Sequence, residues 1–171
     1  MSRLLCLFLF PLALSANELR DYLQQYEGRW VGQFSIHSTA NGYTESFPVE
    51  QRYWWKDEVL HGLAVLDRKS GIETTTSKTW VEGEKFISEV KRGKTVEAFF
   101  GVLHDGVLLW LPTDMGRAND YQIREFFVVE EGLRKLKVEG FDTYVFGEGL
   151  AHIIFKGKLQ RQREAEGAGE N

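Results

Sequence analysis

After Gly28 the chain is broken by turn-forming residues at intervals of about 8–12, and the stretches between them alternate rather than follow a helical period. Asn41-Gly42 and Asp105-Gly106 are dipeptides whose two central residues can both take positive φ, as a two-residue hairpin requires. Asp67 to Gly71, Gly83, Gly93 and Gly132 punctuate the rest. The runs between them include Trp30–His37, Tyr43–Trp55, Val59–Leu66, Ile72–Val81 and finally Leu150–Arg161. Counted this way the chain holds about ten strands. Connections so short leave no room for the crossover helices of a parallel sheet. The expected fold is all-β, an antiparallel up-and-down β-barrel of about 8–10 strands. A two-sheet sandwich is the rival. Closure is favoured because pairing the first strand with the last removes both exposed edges.

One segment keeps a helical period. Leu19, Tyr22, Leu23 and Tyr26 are spaced i, i+3, i+4, i+7, one stripe of a short helix over Asn17 to Glu27. Asn17 is the expected N-cap, Glu18 and Asp21 suit the positive end of the dipole, and Gly28 is a natural stop. So short a helix does not stand alone in water, so its stripe should lie on the barrel and close one end. Pro48 interrupts the second strand, where a bulge or bend is expected because proline lacks a ladder donor. Pro112 to Asp120 is the longest connection without strand pattern, in the manner of loops that cover barrel mouths.

Residues 1–16 read as a secretory signal. Arg3 gives a positive start, Leu4 to Leu14 is apolar apart from Cys6 and Pro11, and Ala13, Ser15 and Ala16 supply a small-residue cleavage site. The apolar run is too short to span a bilayer, so a secreted or periplasmic protein without a stable membrane anchor is expected. Residues 17–162 make one barrel domain, and 163–171, with Glu164, Glu166, Gly167 and Gly169, read as a disordered acidic tail. Losing Arg3 takes the net charge of −4 to −5, since residues 1–16 hold no acid. A mildly acidic domain argues against nucleic acid and anionic membrane as partners. Cys6 is the chain's 1 cysteine, so without the signal no disulfide can form and stability must come from core burial.

Alternation assigns faces. Trp30, Gly32, Phe34 and Ile36 share the inward face of the first strand, and Ala151, Ile153, Phe155, Gly157 and Leu159 that of the last. Tyr121, Ile123, Phe127 and Val129 carry Glu125 inward with them, Ile72 to Trp80 would carry Lys78, and Phe47 to Trp55 brings in Gln51. A charge in a dry interior costs several kcal/mol unless paired or solvated, so such residues pair across a cavity, face a wet mouth or meet a polar ligand. A register break that turns them to solvent is the alternative. The expected ligand-binding set is Phe34, Ile36, Tyr53, Trp80, Ile123, Phe127, Ile153 and Phe155, with Glu125 and Lys78 as polar anchors.

The helix, Gly28-x-Trp30 opening the first strand, and serial hairpins together resemble the calycin group: lipocalins, fatty-acid-binding proteins and nitrobindin-type barrels. The resemblance covers the layout of residues 17–162 and, in motif, Gly28, Trp30 and a late arginine. The count of runs is nearer the fatty-acid-binding and nitrobindin types than the eight strands of lipocalins. Later lipocalin signatures and paired cysteines are not evident. The resemblance implies a barrel that holds a small apolar molecule such as a lipid, pigment or haem. It also implies that Trp30 packs at the closed end under a basic residue of the last strand, Arg161 or Arg163.

Other chemistry finds less support. His37, His61, His104 and His152 have no local metal spacing. Alternation turns His37 and His152 outward, His104 abuts a turn, and His61 lies between two apolar faces. With residues 1–16 set aside, no cysteine nucleophile and no Gly-x-Ser-x-Gly elbow is present, and Gly147-Glu148-Gly149 opens no helix. Glu125 with Lys78 or a tyrosine could form an acid–base pair, but hydrogen bonding within the cavity explains both. Consecutive aromatics such as Tyr53-Trp54-Trp55, Phe99-Phe100 and Phe126-Phe127 cannot share a face, so Trp54 and one of each Phe pair must point outward. The leading expectation is a binding protein, not an enzyme, with no cofactor and with a small hydrophobic molecule as partner. A ligand-free interaction module comes second and a haem-binding barrel third.

Overall fold

The computed structural model describes residues 15–114, 116 and 120–162. The first fourteen residues of the expected signal, the expected tail from Arg163, and part of the Pro112–Asp120 connection lie outside that set. One helix, α1 (Ala16–Gln24), precedes ten strands: β1 (Gly28–Ser38), β2 (Thr44–Lys56), β3 (Val59–Arg68), β4 (Gly71–Glu82), β5 (Lys85–Arg92), β6 (Thr95–His104), β7 (Val107–Pro112), β8 (Tyr121–Glu130), β9 (Leu133–Phe146) and β10 (Gly149–Arg161). Each strand pairs with its sequence neighbour, and β1 pairs with β10 from Trp30↔Arg161 to Ser38↔Ile153, which closes the barrel. The closed ring leaves no strand edge, the physical reason for preferring it to a sandwich.

The turns explain the regular register. Asp105 and Gly106 take φ of 49° and 75°, and Glu131 and Gly132 take 57° and 73°. Positive φ at both centres gives a turn whose twist matches that of the flanking strands. Pro48 makes no bulge: the β1–β2 register runs unbroken through Gln33↔Pro48. The β2–β3 ladder starts at Val49↔Leu66, one residue past the proline, so that ladder never calls on the missing donor.

Helix α1 starts earlier than its stripe suggests. Ser15, rather than Asn17, is the N-cap: its hydroxyl accepts from the Glu18 N–H, and the Glu18 carboxylate accepts from the Ser15 N–H at 2.7 Å. That reciprocal pair satisfies two donors at once, which a cap at Asn17 would not. The stripe lies as expected, with Leu19, Tyr22, Leu23 and Tyr26 all buried. The helix plugs the end of the barrel where β1 begins and β10 finishes.

Trp30 locks the plug. It is 0% exposed, and its indole N–H donates to the Tyr26 carbonyl at 2.6 Å, satisfying an acceptor just past the helix end. Phe127 stacks edge-on to Tyr26 at 4.8 Å and lies 5.7 Å from Trp30. At this end Arg134 lies 5.0 Å above Phe127 and Arg20 5.2 Å above Trp55; Arg161 does not cover Trp30, and Arg163 lies outside the described residues. Arg161 instead fills the space beside Gly28, where an added Cβ would stand 3.2 Å from its Nε. Gly28 also has φ of 111°, so glycine is required there on both counts.

Candidate functional site

Above the plug, the barrel encloses a cavity of about 440 Å³, within the range of sites that hold small organic ligands. Its floor is Leu23 of α1 and Tyr26 just past the helix end, and its walls come from inward residues of β1–β10. Seven of the expected residues line it: Phe34 and Ile36 on β1, Tyr53 on β2, Ile123 and Glu125 on β8, and Ile153 and Phe155 on β10. Phe127 also points inward but lies below the cavity, packed among Tyr22, Tyr26 and Trp30.

Lys78 and Trp80 are the corrections. On β4 the cavity is lined by Glu73, Ser77 and Thr79, so the even-numbered residues face out. Lys78 is exposed to solvent, and Trp80 lines a cleft outside the barrel beside the start of α1, with Arg20, Trp55 and Glu58. The expected phase followed Trp80, the one large apolar residue of the strand to alternate with Ile72. The inward face of β4 is polar, which inverts the usual signal. Trp54 points outward at 40% exposure and stacks on His61, which settles the direction of that histidine as outward. None of the four histidines lines the cavity, and the described residues hold no group of three metal-ligating side chains.

Glu125 is the chemical centre of the cavity. Its Oε2 accepts from the Tyr26 hydroxyl at 2.8 Å and from the Trp110 indole N–H at 3.0 Å. No cation pairs with it among the described residues. Glu125 is half-buried and lines the cavity. Burial therefore pushes its pKa above the ordinary value, and the donors Trp110 and Tyr26 pull the other way and are outweighed. The same burial, with the Glu125 charge, raises Tyr26 and Tyr53, so both hydroxyls stay protonated. Trp110 reaches Glu125 by lying across its register partner Gly101, where a Cβ would stand 2.7 Å from the indole ring. Glycine at 101 therefore places the donor.

The wall above is graded in polarity. Thr79 and Ser88 share a hydroxyl–hydroxyl bond of 3.0 Å across β4 and β5. Nearer the mouth, Arg68 bonds Glu45 at 2.7 Å and Glu73 at 3.3 Å, with its guanidinium 5.2 Å over the Phe47 ring. Glu45 also accepts from the Lys69 N–H at 2.8 Å and the Tyr43 hydroxyl at 3.0 Å. Arg68 first, then that N–H, holds its pKa down to about 2. Arg92, Glu97, Tyr121 and Asp142 complete the upper wall.

Sequence reasoning missed Trp110, Phe99 and Tyr26 as lining residues, and the charged upper wall. Tyr26 was visible as part of the helix stripe that had to face the barrel. The β7 run Val107 to Leu111 is apolar on both faces, so alternation could not pick out Trp110.

No family model matches the chain, and no curated protein matches its sequence. The calycin-like resemblance therefore holds at the level of a closed ten-stranded antiparallel barrel with a plugging helix.

Proposed function

We propose that this protein binds a small hydrophobic molecule non-covalently inside the barrel, and acts as a carrier or sequestering protein rather than an enzyme. The observation that supports it most directly is the cavity of about 440 Å³ between the helix plug and the open end, with apolar and aromatic walls and one anchoring carboxyl at depth. A barrel kept only for its outer surface has no need of such a space, because interiors otherwise pack to crystal-like density. The apolar leader after Arg3 supports a secreted or periplasmic site of action.

Titration with an apolar fluorescent dye tests the reading. The wild type should enhance the emission of the neutral dye N-phenyl-1-naphthylamine at a single site. Ile36→Trp, which fills the cavity from β1, should abolish the enhancement while the cooperative melt persists. Equal dye binding by the filled variant would place the dye outside the barrel and remove the support.

A further inference from the structure

We infer that the open end of the barrel docks reversibly on a phospholipid surface, with the tip of the β9–β10 hairpin entering the interface. The inference goes beyond the binding role proposed above and concerns the outer rim, not the cavity.

Apolar exposure in this protein is sorted by end. The hydrophobic side chains more than half exposed are Ile72, Val96, Val129, Val145, Phe146 and Leu150. The plug closes the end where β1 begins, so the β3–β4, β5–β6 and β9–β10 turns all lie at the mouth. Ile72, Val96, Val145, Phe146 and Leu150 stand beside those turns, whereas Val129 lies at the plugged end. Bare apolar side chains grouped in this way mark a surface that meets a partner or a membrane.

The β9–β10 hairpin carries the largest share and projects past its neighbours. β9 pairs with β8 as far as Tyr121↔Asp142, and β10 pairs with β1 as far as Ser38↔Ile153. One further bond on each side, Thr143 N–H to the Asp120 carbonyl and Thr39 N–H to the His152 carbonyl, ends those ladders. Past them the ladder continues within the hairpin alone, through Val145↔Leu150 and Phe146↔Gly149. Val145 and Leu150 are opposite partners, so they share one face, at 75% and 71% exposed. Tyr144 stiffens the base: its hydroxyl is 2.7 Å from Ser38 Oγ, and its ring meets Phe146 edge-on. A ribbon held at its base and bare at its tip gains free energy by burying that tip.

The rim fits lipid better than a second copy or a protein partner. Its exposed residues sit on three separate turns around an opening. A fluid apolar phase meets such a broken ring everywhere, where a fixed surface leaves voids. Strand addition by a second copy would account for the β9–β10 tip, but not for Ile72 and Val96 elsewhere on the mouth. Lys69 and Lys94, both exposed, stand at the tips of the β3–β4 and β5–β6 turns. Ammonium groups there can pair with headgroup phosphates while Ile72 and Val96 lie deeper. The chain's net charge of −4 opposes an anionic bilayer, so apolar burial has to drive the docking. Hydrocarbon cannot satisfy the backbone groups along the hairpin's outer edges, so the tip stops among the headgroups.

Flotation of the full chain with phosphatidylcholine vesicles tests this. The wild type should float with the vesicles. Phe146→Asp combined with Leu150→Asp should lower the partition coefficient at least about tenfold, because two inserted apolar side chains become charges. Val129→Asp, at a site as exposed as Val145 but on the plugged end, should float like the wild type. A wild type left in the soluble fraction would overturn the docking and leave the binding role standing. So would equal flotation of the double variant, the result expected if residues 1–16 carried the attachment, or an equal loss in Val129→Asp. A wild type that is dimeric without vesicles, and monomeric as the double variant, would assign the tip to a second copy instead. Titration with N-phenyl-1-naphthylamine in the absence of vesicles should be the same for all these proteins. A failure of the cavity reading therefore shows in the dye, and a failure of the docking in the flotation.

Discussion

The Tyr26 hydroxyl donates to Glu125 Oε2 at 2.8 Å across 99 positions of sequence. The helix that plugs the barrel thus also fixes the polar end of its cavity. Tyr26→Phe removes the hydroxyl and leaves the ring, so packing against Phe127 survives while Oε2 keeps only the Trp110 donor. Losing one partner of a buried acceptor costs roughly 1–3 kcal/mol. Urea denaturation should show that loss in the midpoint, with an unchanged slope because the surface exposed on unfolding is the same. The carboxyl should also titrate higher than in the wild type, one of its two opposing donors being gone.

Glu125 makes stability depend on pH in an unusual direction. Its folded pKa lies above the ordinary 4.5 because the carboxyl is buried. Between those two values the folded state holds more protons than the unfolded one, so stability falls as pH rises through the window that begins near 4.5. Glu125→Gln has no proton to lose. Melting temperatures taken from about pH 4 to about pH 8 should show the variant gaining on the wild type as pH rises. A constant difference between the two proteins would mean that the carboxyl is solvated in the folded state.

Glu45 should behave in the opposite sense. Arg68 and the Lys69 N–H hold its pKa at about 2, below its ordinary 4.5. The stabilisation is present above 4.5 and is lost as pH falls through about 2. Glu45→Gln should therefore lower the melting temperature at neutral pH, with the deficit closing in acid. The variant also removes the Arg68 partner at 2.7 Å while Glu73 remains at 3.3 Å, so anionic probes should enter the cavity more readily than in the wild type.

Much of this barrel is readable from alternation, and the exceptions share one physical cause. In β1, β8 and β10 the inward residues include Phe34, Ile36, Ile123, Ile153 and Phe155 while outward ones such as Gln33, Arg124 and Lys156 are polar, so the phase is legible and carries Glu125 inward with it. In β4 the residues that line the cavity are Glu73, Ser77 and Thr79, beside other polar wall residues such as Arg68 and Ser88, while Trp80 and Ile72 lie outside. A hydrophobic pattern reports the dry face of a strand, and a ligand cavity makes the inner face polar in places. The long-range bonds were not legible at all. Nothing local to Trp110 says that it meets Glu125, since that depends on the β7–β8 register and on the gap left by Gly101. Ser15, read as part of the small-residue cleavage site, was passed over as a cap in favour of Asn17, and the structure places the N-cap of α1 on it.

Trp30 separates the stability of the barrel from its contents. It is 0% exposed, its indole N–H satisfies the Tyr26 carbonyl, and its ring packs on Phe127, but it does not line the cavity. Trp30→Ala therefore removes a large buried side chain and leaves a void between helix and barrel, a loss of about 3–5 kcal/mol. The orphaned carbonyl of Tyr26 adds to that cost unless water reaches it. Denaturation should report the full loss, whereas the dye affinity of the protein that stays folded should change by less than about twofold, because a change of that size is under 0.5 kcal/mol. Lost dye affinity with an unchanged melt would assign Trp30 to the ligand instead of the plug.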